Sequence, residues 1–113
     1  MGIPSHLIYV HELLESYGAK RLIRIGSCGA LQPEIELHDI IIAMTASTDS
    51  GINRRRFGGV DYAPCADFEL FRRACDIADK QGTPYRAGGI LSSDVFYDDD
   101  PEGWKLWAKY GVL

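Results

Sequence analysis

The chain has 113 residues, enough for one domain but not two, and at that length folding buries about 65% of the unfolded surface. Hydrophobic residues make up 46% and charged residues 25%, which excludes the disordered and fibrous classes. A formal net charge of −4 gives no overall pull toward nucleic acid or an anionic membrane, so a small ligand is the expected partner.

Cys28, Cys65 and Cys75 are odd in number and show no CxxC spacing, which argues against a disulfide framework and a zinc site and for a reducing compartment. The opening MGIPSHLIYVHELLE lacks a basic region and a small-residue cleavage site, and no window reaches the length of a membrane span. A cytoplasmic protein is expected.

In chain order, Leu7, Val10, Leu14 and Tyr17 share one face of a helix predicted over 4–17, with Pro4 in its first turn and Gly18 as its stop. Residues 22–25 read as a short strand that ends in the small, flexible run Gly26, Ser27, Cys28, Gly29, Ala30. Residues 39–44, DIIIAM, read as a strand buried on both faces. Residues 47–66 lack periodicity and hold Gly51, Gly58, Gly59 and Pro64, the pattern of a long excursion.

A second helix is predicted over 67–80, with Phe68, Phe71, Cys75 and Ile77 or Ala78 inward, an acidic start and Gly82 beyond its end. A third strand is expected over 85–95 and a last helix over 101–110, with Asp98, Asp99 and Asp100 ahead of it. This alternation implies an α/β fold with one sheet flanked by helices. Three strands with bare edges make a poor domain, so the single domain expected over 1–113 looks incomplete at both ends.

The stretch RIGSCGA, residues 24–30, carries the strongest chemical signal. It falls at the carboxyl end of a predicted strand, where open α/β sheets bind ligands. Its glycines let backbone N–H groups approach an anion, Ser27 offers a hydroxyl, and Arg24 offers the planar fork that suits phosphate. Most such turns merely reverse the chain. An arginine in a short apolar strand needs a partner, either an anionic ligand or an Asp or Glu side chain.

MGIPS at 1–5, RIGSCGA at 24–30, TDS at 48–50, NRRRF at 53–57, ADF at 66–68 and SSDVFY at 92–97 follow one another in a familiar order and spacing. In these motifs the chain resembles the bacterial, hexameric-type purine nucleoside phosphorylases. The resemblance runs along all 113 residues and covers roughly half of a family chain, as an internal portion.

The resemblance implies the central portion of a nucleoside-phosphorylase-type mixed sheet and a reaction without cofactor or metal. In that reaction phosphate attacks the anomeric carbon of a purine ribonucleoside or deoxyribonucleoside, releasing the base and a pentose 1-phosphate. It implies a homo-oligomer, a hexamer assembled from dimers. Carried over by position, Arg24 and Ser27 match phosphate ligands, with the Ile25 and Gly26 backbone shaping the turn. Cys28 and Gly29 match positions along the base, Phe96 the aromatic on the purine with Tyr97 beside it, and Met1 the methionine under the ribose. No catalytic residue is assigned within the chain, because the family's general acid and ribose-holding glutamate lie in its C-terminal portion. Further phosphate ligands lie in its N-terminal portion.

Other features have plain readings. Phe96 and Tyr97 would also suit a core or interface, and Cys28 a small buried position. Arg54, Arg55 and Arg56 suit a solvated or subunit-contact loop, and the acidic run with Glu102 suits a helix dipole as well as a metal. His6, His11 and His38 form no cluster. Uridine phosphorylase is the near alternative, against which SCGA favours purine. A nucleosidase that uses water has no need of Arg24. A non-catalytic product or assembly module is the alternative of another kind.

Overall fold

A computed structural model describes residues 2–113. Its elements are α1 (Ile3–Glu15), β1 (Ile40–Thr48), α2 (Ile52–Arg56), α3 (Phe68–Gln81), β2 (Tyr85–Ser92) and α4 (Trp104–Lys109). The fold is α/β, as expected. β1 and β2 pair in parallel from Ile40↔Tyr85 to Thr48↔Ser92, with α3 as the crossover between them.

α3 is the element whose boundaries the sequence marks most clearly. The Asp67 carboxylate accepts from the Leu70 amide at 2.9 Å, and Gly82 ends the helix in the left-handed conformation at φ 64°. Its inward face runs through Leu70, Phe71, Ala74, Cys75 and Ala78. Of the alternatives Ile77 and Ala78, Ala78 is the inward one, while Phe68, expected inward, is 69% exposed because it lies off that stripe.

The pairing slips by one residue in the middle of the sheet. Ala43 faces Gly88 and Thr45 faces Gly89, leaving Met44 as a bulge. Both glycines sit where another chain segment comes close. A Cβ on Gly88 would stand 2.8 Å from Leu113 Cδ1, and one on Gly89 would stand 3.0 Å from Thr45 Oγ1. The free edge of β1 is met by 64–66: Thr45 bridges Cys65 in antiparallel sense, and the Ala66 amide donates to the Met44 carbonyl at 2.9 Å. On β2, the Leu113 amide donates to the Gly89 carbonyl at 2.9 Å.

Several further expectations need correction. β1 is not buried on both faces: Ile40 and Met44 are 45% and 48% exposed, because the apolar faces of this chain are largely uncovered. Residues 22–25 form no strand: all four are exposed, and no backbone hydrogen bond of the described residues joins 20–31 to the sheet. An extended segment becomes a strand only when a neighbour supplies its hydrogen bonds, and none lies beside this one. β1 runs four residues past Met44 to Thr48, because β2 and 64–66 satisfy both of its edges. The excursion over 47–66 contains the short helix α2. The third predicted strand stops at Ser92, and 93–95 turn instead.

Among the described residues only Ala78 and Val112 are buried, while Ile8, Tyr9, Leu13 and Leu14 of α1 are each at least 41% exposed. The accessible surface is 9306 Å², against about 6,200 Å² for a folded monomer of this size. The radius of gyration, 15.5 Å, exceeds the about 13 Å of a compact chain. The secondary structure is in place, but its apolar faces are largely uncovered.

Candidate active site

Because β1 and β2 are parallel, the residues that follow them emerge along one edge of the sheet, where open α/β sheets bind ligands. TDS at 48–50 and SSDVFY at 92–97 meet there. The Thr48 hydroxyl donates to the Ser92 carbonyl at 2.7 Å and accepts from the Ser50 amide at 3.0 Å. The Asp49 carboxylate accepts from the Ser93 hydroxyl at 2.5 Å and from the Asp94 amide at 3.1 Å. Two segments 44 residues apart are joined by side chains of the first reaching the second.

An open cavity of about 660 Å³ lies on the β1 side of this edge, lined among others by Thr48, Asp49, Asn53, Arg54, Tyr62 and Trp107. Its volume suits a small-molecule site, and its wall mixes polar groups from TDS with aromatic rings. The excursion over 47–66 shapes it: Arg54 pairs with Asp61 at 3.1 Å, and Phe57 stacks on Tyr62 with centroids 4.4 Å apart. A second cavity, about 750 Å³, separates Leu7, Val10 and Leu14 of α1 from Ile52, Arg55 and Arg56 of α2. The apolar stripe foreseen on the first helix thus faces α2, except that Tyr17 is 78% exposed beyond it.

Arg24, Ile25, Gly26, Ser27, Cys28 and Gly29 lie in an exposed, extended segment, Ile25 at 93% exposure. Arg24 bends back over the turn, so that a Cβ on Gly26 would stand 3.2 Å from its Nη1. Among the described residues it makes no ion pair with Asp or Glu. Phe96 and Tyr97 project from the end of β2 at 90% and 88% exposure, packed edge to face with centroids 5.0 Å apart. Neither cavity is lined by any of these residues. Met1, the remaining predicted contact, lies outside the described residues.

The acidic run builds backbone turns: Asp98 accepts from the Asp100 amide at 3.0 Å, and Asp100 from the Glu102 amide at 2.9 Å. Cys28, Cys65 and Cys75 are free thiols. No helix of the described residues is long and apolar enough to cross a membrane.

Among the described residues, the two titratable groups with a clear shift lie at the opposite end of the sheet. The Glu36 amide and then the Arg86 guanidinium, each 3.1 Å away, hold the Asp39 carboxyl below its usual range just before β1. Tyr85, the first residue of β2, is pushed up to about 12 by the neighbouring Cys75 thiol first, then by burial and by the charge of Asp79, to which its hydroxyl donates at 3.5 Å. Their partners are structural, tying loop to strand and helix to strand.

A family model described as the phosphorylase superfamily matches residues 1–113. The chain belongs to that superfamily. Among curated relatives it is 60% identical over its whole length to a DeoD-type purine nucleoside phosphorylase of Caldanaerobacter subterraneus subsp. tengcongensis, covering 49% of that protein. It is 54% identical to the DeoD-type purine nucleoside phosphorylase of Bacillus subtilis and 52% to that of Geobacillus kaustophilus, covering all of this chain and 48% of each relative. The chain thus spans about half the length of the curated relatives it matches.

In this phosphorylase-superfamily chain, the contacts of Asp49 are not visible from residue types alone. The sequence signal was present, since TDS follows directly on a β-rich run and precedes Gly51, but its partners at Ser93 and Asp94 are distant in sequence.

Proposed function

We propose that the protein carrying these residues catalyses phosphorolysis of purine ribonucleosides and deoxyribonucleosides. A phosphate oxygen bonds to the anomeric carbon as the C–N glycosidic bond breaks. The bond's electron pair leaves with the purine, which takes up a proton, and the products are free base and pentose 1-phosphate. The observation that carries this reading is the 52–60% identity over the full chain to proteins named purine nucleoside phosphorylase.

In this reading Arg24 and Ser27 hold phosphate with charge-assisted and hydroxyl hydrogen bonds, and the Ile25 and Gly26 backbone shapes the turn around it. Cys28 and Gly29 line the base, Phe96 stacks on the purine with Tyr97 beside it, and Met1 lies under the ribose. Catalysis consists of placing phosphate beneath the sugar and stabilising charge on the departing base. Phosphate is a co-substrate, and the reaction requires no metal or other cofactor. The working protein is a cytoplasmic homo-oligomer, a hexamer assembled from dimers.

The exposure of 24–30 supports a division of labour, because a phosphate turn with no neighbours needs other segments to close the site. Initial rates of base release from inosine and uridine, with and without inorganic phosphate, test the reading. Phosphate-dependent release from inosine with little from uridine is expected. Preference for uridine would transfer the chain to the pyrimidine branch, and release without phosphate would make it a hydrolase.

A second reading, a non-catalytic chain, is favoured by the burial of only Ala78 and Val112 among the described residues. On that ground the 113 residues by themselves are expected to show no appreciable turnover of inosine or adenosine. Phosphate-dependent turnover by them would remove that reading.

A further inference from the structure

We propose that Asp49 is a positioning residue for the nucleoside side of this site, its carboxylate setting the turn that carries Phe96. What Phe96 does rests on the phosphorolysis reading; how it is held rests on geometry alone.

Ser93 has one hydroxyl hydrogen and two acceptors in reach, Asp49 Oδ2 at 2.5 Å and the Val95 carbonyl at 3.0 Å. The charged and closer acceptor takes it. The Ser93 oxygen is then free to accept from the Val95 amide, also at 3.0 Å. Asp49 Oδ1 meanwhile accepts from the Asp94 amide at 3.1 Å. Donors on three consecutive residues, 93–95, therefore converge directly or through one hydroxyl on a single carboxylate.

That carboxylate is anchored to the sheet. Thr48, next to it in the chain, closes the last rung of the β1–β2 ladder with its hydroxyl on the Ser92 carbonyl. Downstream of the turn, Phe96 and Tyr97 are almost fully exposed and pack on each other. The path that fixes Phe96 relative to the sheet thus runs through Asp49. Without the carboxylate the Ser93 hydroxyl turns to Val95, the Asp94 amide turns to water, and the ring loses its place.

The test uses the full-length protein carrying these residues, comparing Asp49→Ala, Asp49→Asn and Ser93→Ala with wild type. Amide hydrogen exchange is read at 94–97 and along β2, and KM is measured separately for purine nucleoside and phosphate. Asp49→Ala should speed exchange at Asp94 and Val95 by about tenfold or more, leave β2 unchanged, and raise nucleoside KM by about tenfold, with phosphate KM within about twofold. Asp49→Asn, which keeps one acceptor oxygen, should fall between Asp49→Ala and wild type.

Unchanged exchange at 94–97, or faster exchange with unchanged nucleoside KM, would overturn the proposal. Should Asp49→Ala not fold, Ser93→Ala decides: smaller changes in the same direction support the proposal and none refutes it. Should the wild-type protein lack phosphorolysis, the function reading falls by itself. The exchange comparison then decides how the turn is held, faster exchange supporting the Asp49 clamp and unchanged exchange refuting it.

Discussion

The Arg24 guanidinium is folded over Gly26, so that a Cβ on that glycine would stand 3.2 Å from Nη1 and 3.3 Å from Nη2. The side chain thus curls across the turn whose backbone is proposed to cradle phosphate. Arg24 is exposed and has no acidic partner among the described residues, so replacing it should cost the fold little. If the protein carrying these residues is the proposed phosphorylase, Arg24→Ala in it should remove charge-assisted hydrogen bonds of about 1.5–3 kcal/mol each and weaken phosphate use by at least about tenfold. Phosphate saturation curves check this, and an unchanged phosphate KM would take Arg24 out of the site.

Gly26→Ala is a gentler probe of the same contact. The three atoms nearest the added methyl group all belong to the guanidinium of Arg24, a long exposed side chain that can yield by a few tenths of an ångström. Stability should stay within about 0.5 kcal/mol of wild type. Phosphate KM should rise by less than in Arg24→Ala, with nucleoside KM unchanged. Urea denaturation and the two saturation curves measure these effects.

Acid stability should depend on Asp39. Its folded-state pKa is depressed by the Glu36 amide first and Arg86 second, so the stabilisation is present above the ordinary value of 3.8 and lost as pH falls through the lowered one. Asp39→Asn should therefore lower stability at neutral pH and flatten the acid limb below about pH 4. Urea midpoints across that range give the comparison; parallel acid limbs for the two proteins would contradict the assignment.

The alkaline limb should depend on Tyr85. Its folded-state pKa is raised from 10.0 to about 12, so its contribution is intact below pH 10 and lost between 10 and 12, where the unfolded chain gains a tyrosinate that the folded one resists. Tyr85→Phe should remove that part of the alkaline loss. The near-ultraviolet difference between wild type and Tyr85→Phe should show tyrosinate only as pH approaches 12.

What the sequence revealed of the fold depended on where each element's partners lie. α3 was legible to within a residue because Asp67 and Gly82, its own neighbours, cap it. The extension of β1 to Thr48 was not, since the partners that hold it open come from 64–66 and 85–92. Residues 22–25 have a strand's composition without the neighbour that makes a strand. α2, with five residues, is too short to show a period. In the candidate site, the anion-binding reading of RIGSCGA rests on residue types alone, whereas the grip of Asp49 on Ser93 exists only once two parallel strands bring their ends together.

Phosphorolysis of purine nucleosides is tested by the stoichiometry of products from inosine in phosphate buffer, using the full-length protein carrying these residues. Hypoxanthine and ribose 1-phosphate should appear in equal amounts, both dependent on phosphate and both reduced at subsaturating phosphate by Arg24→Ala. Hypoxanthine accompanied by free ribose, at a rate indifferent to phosphate, would contradict it.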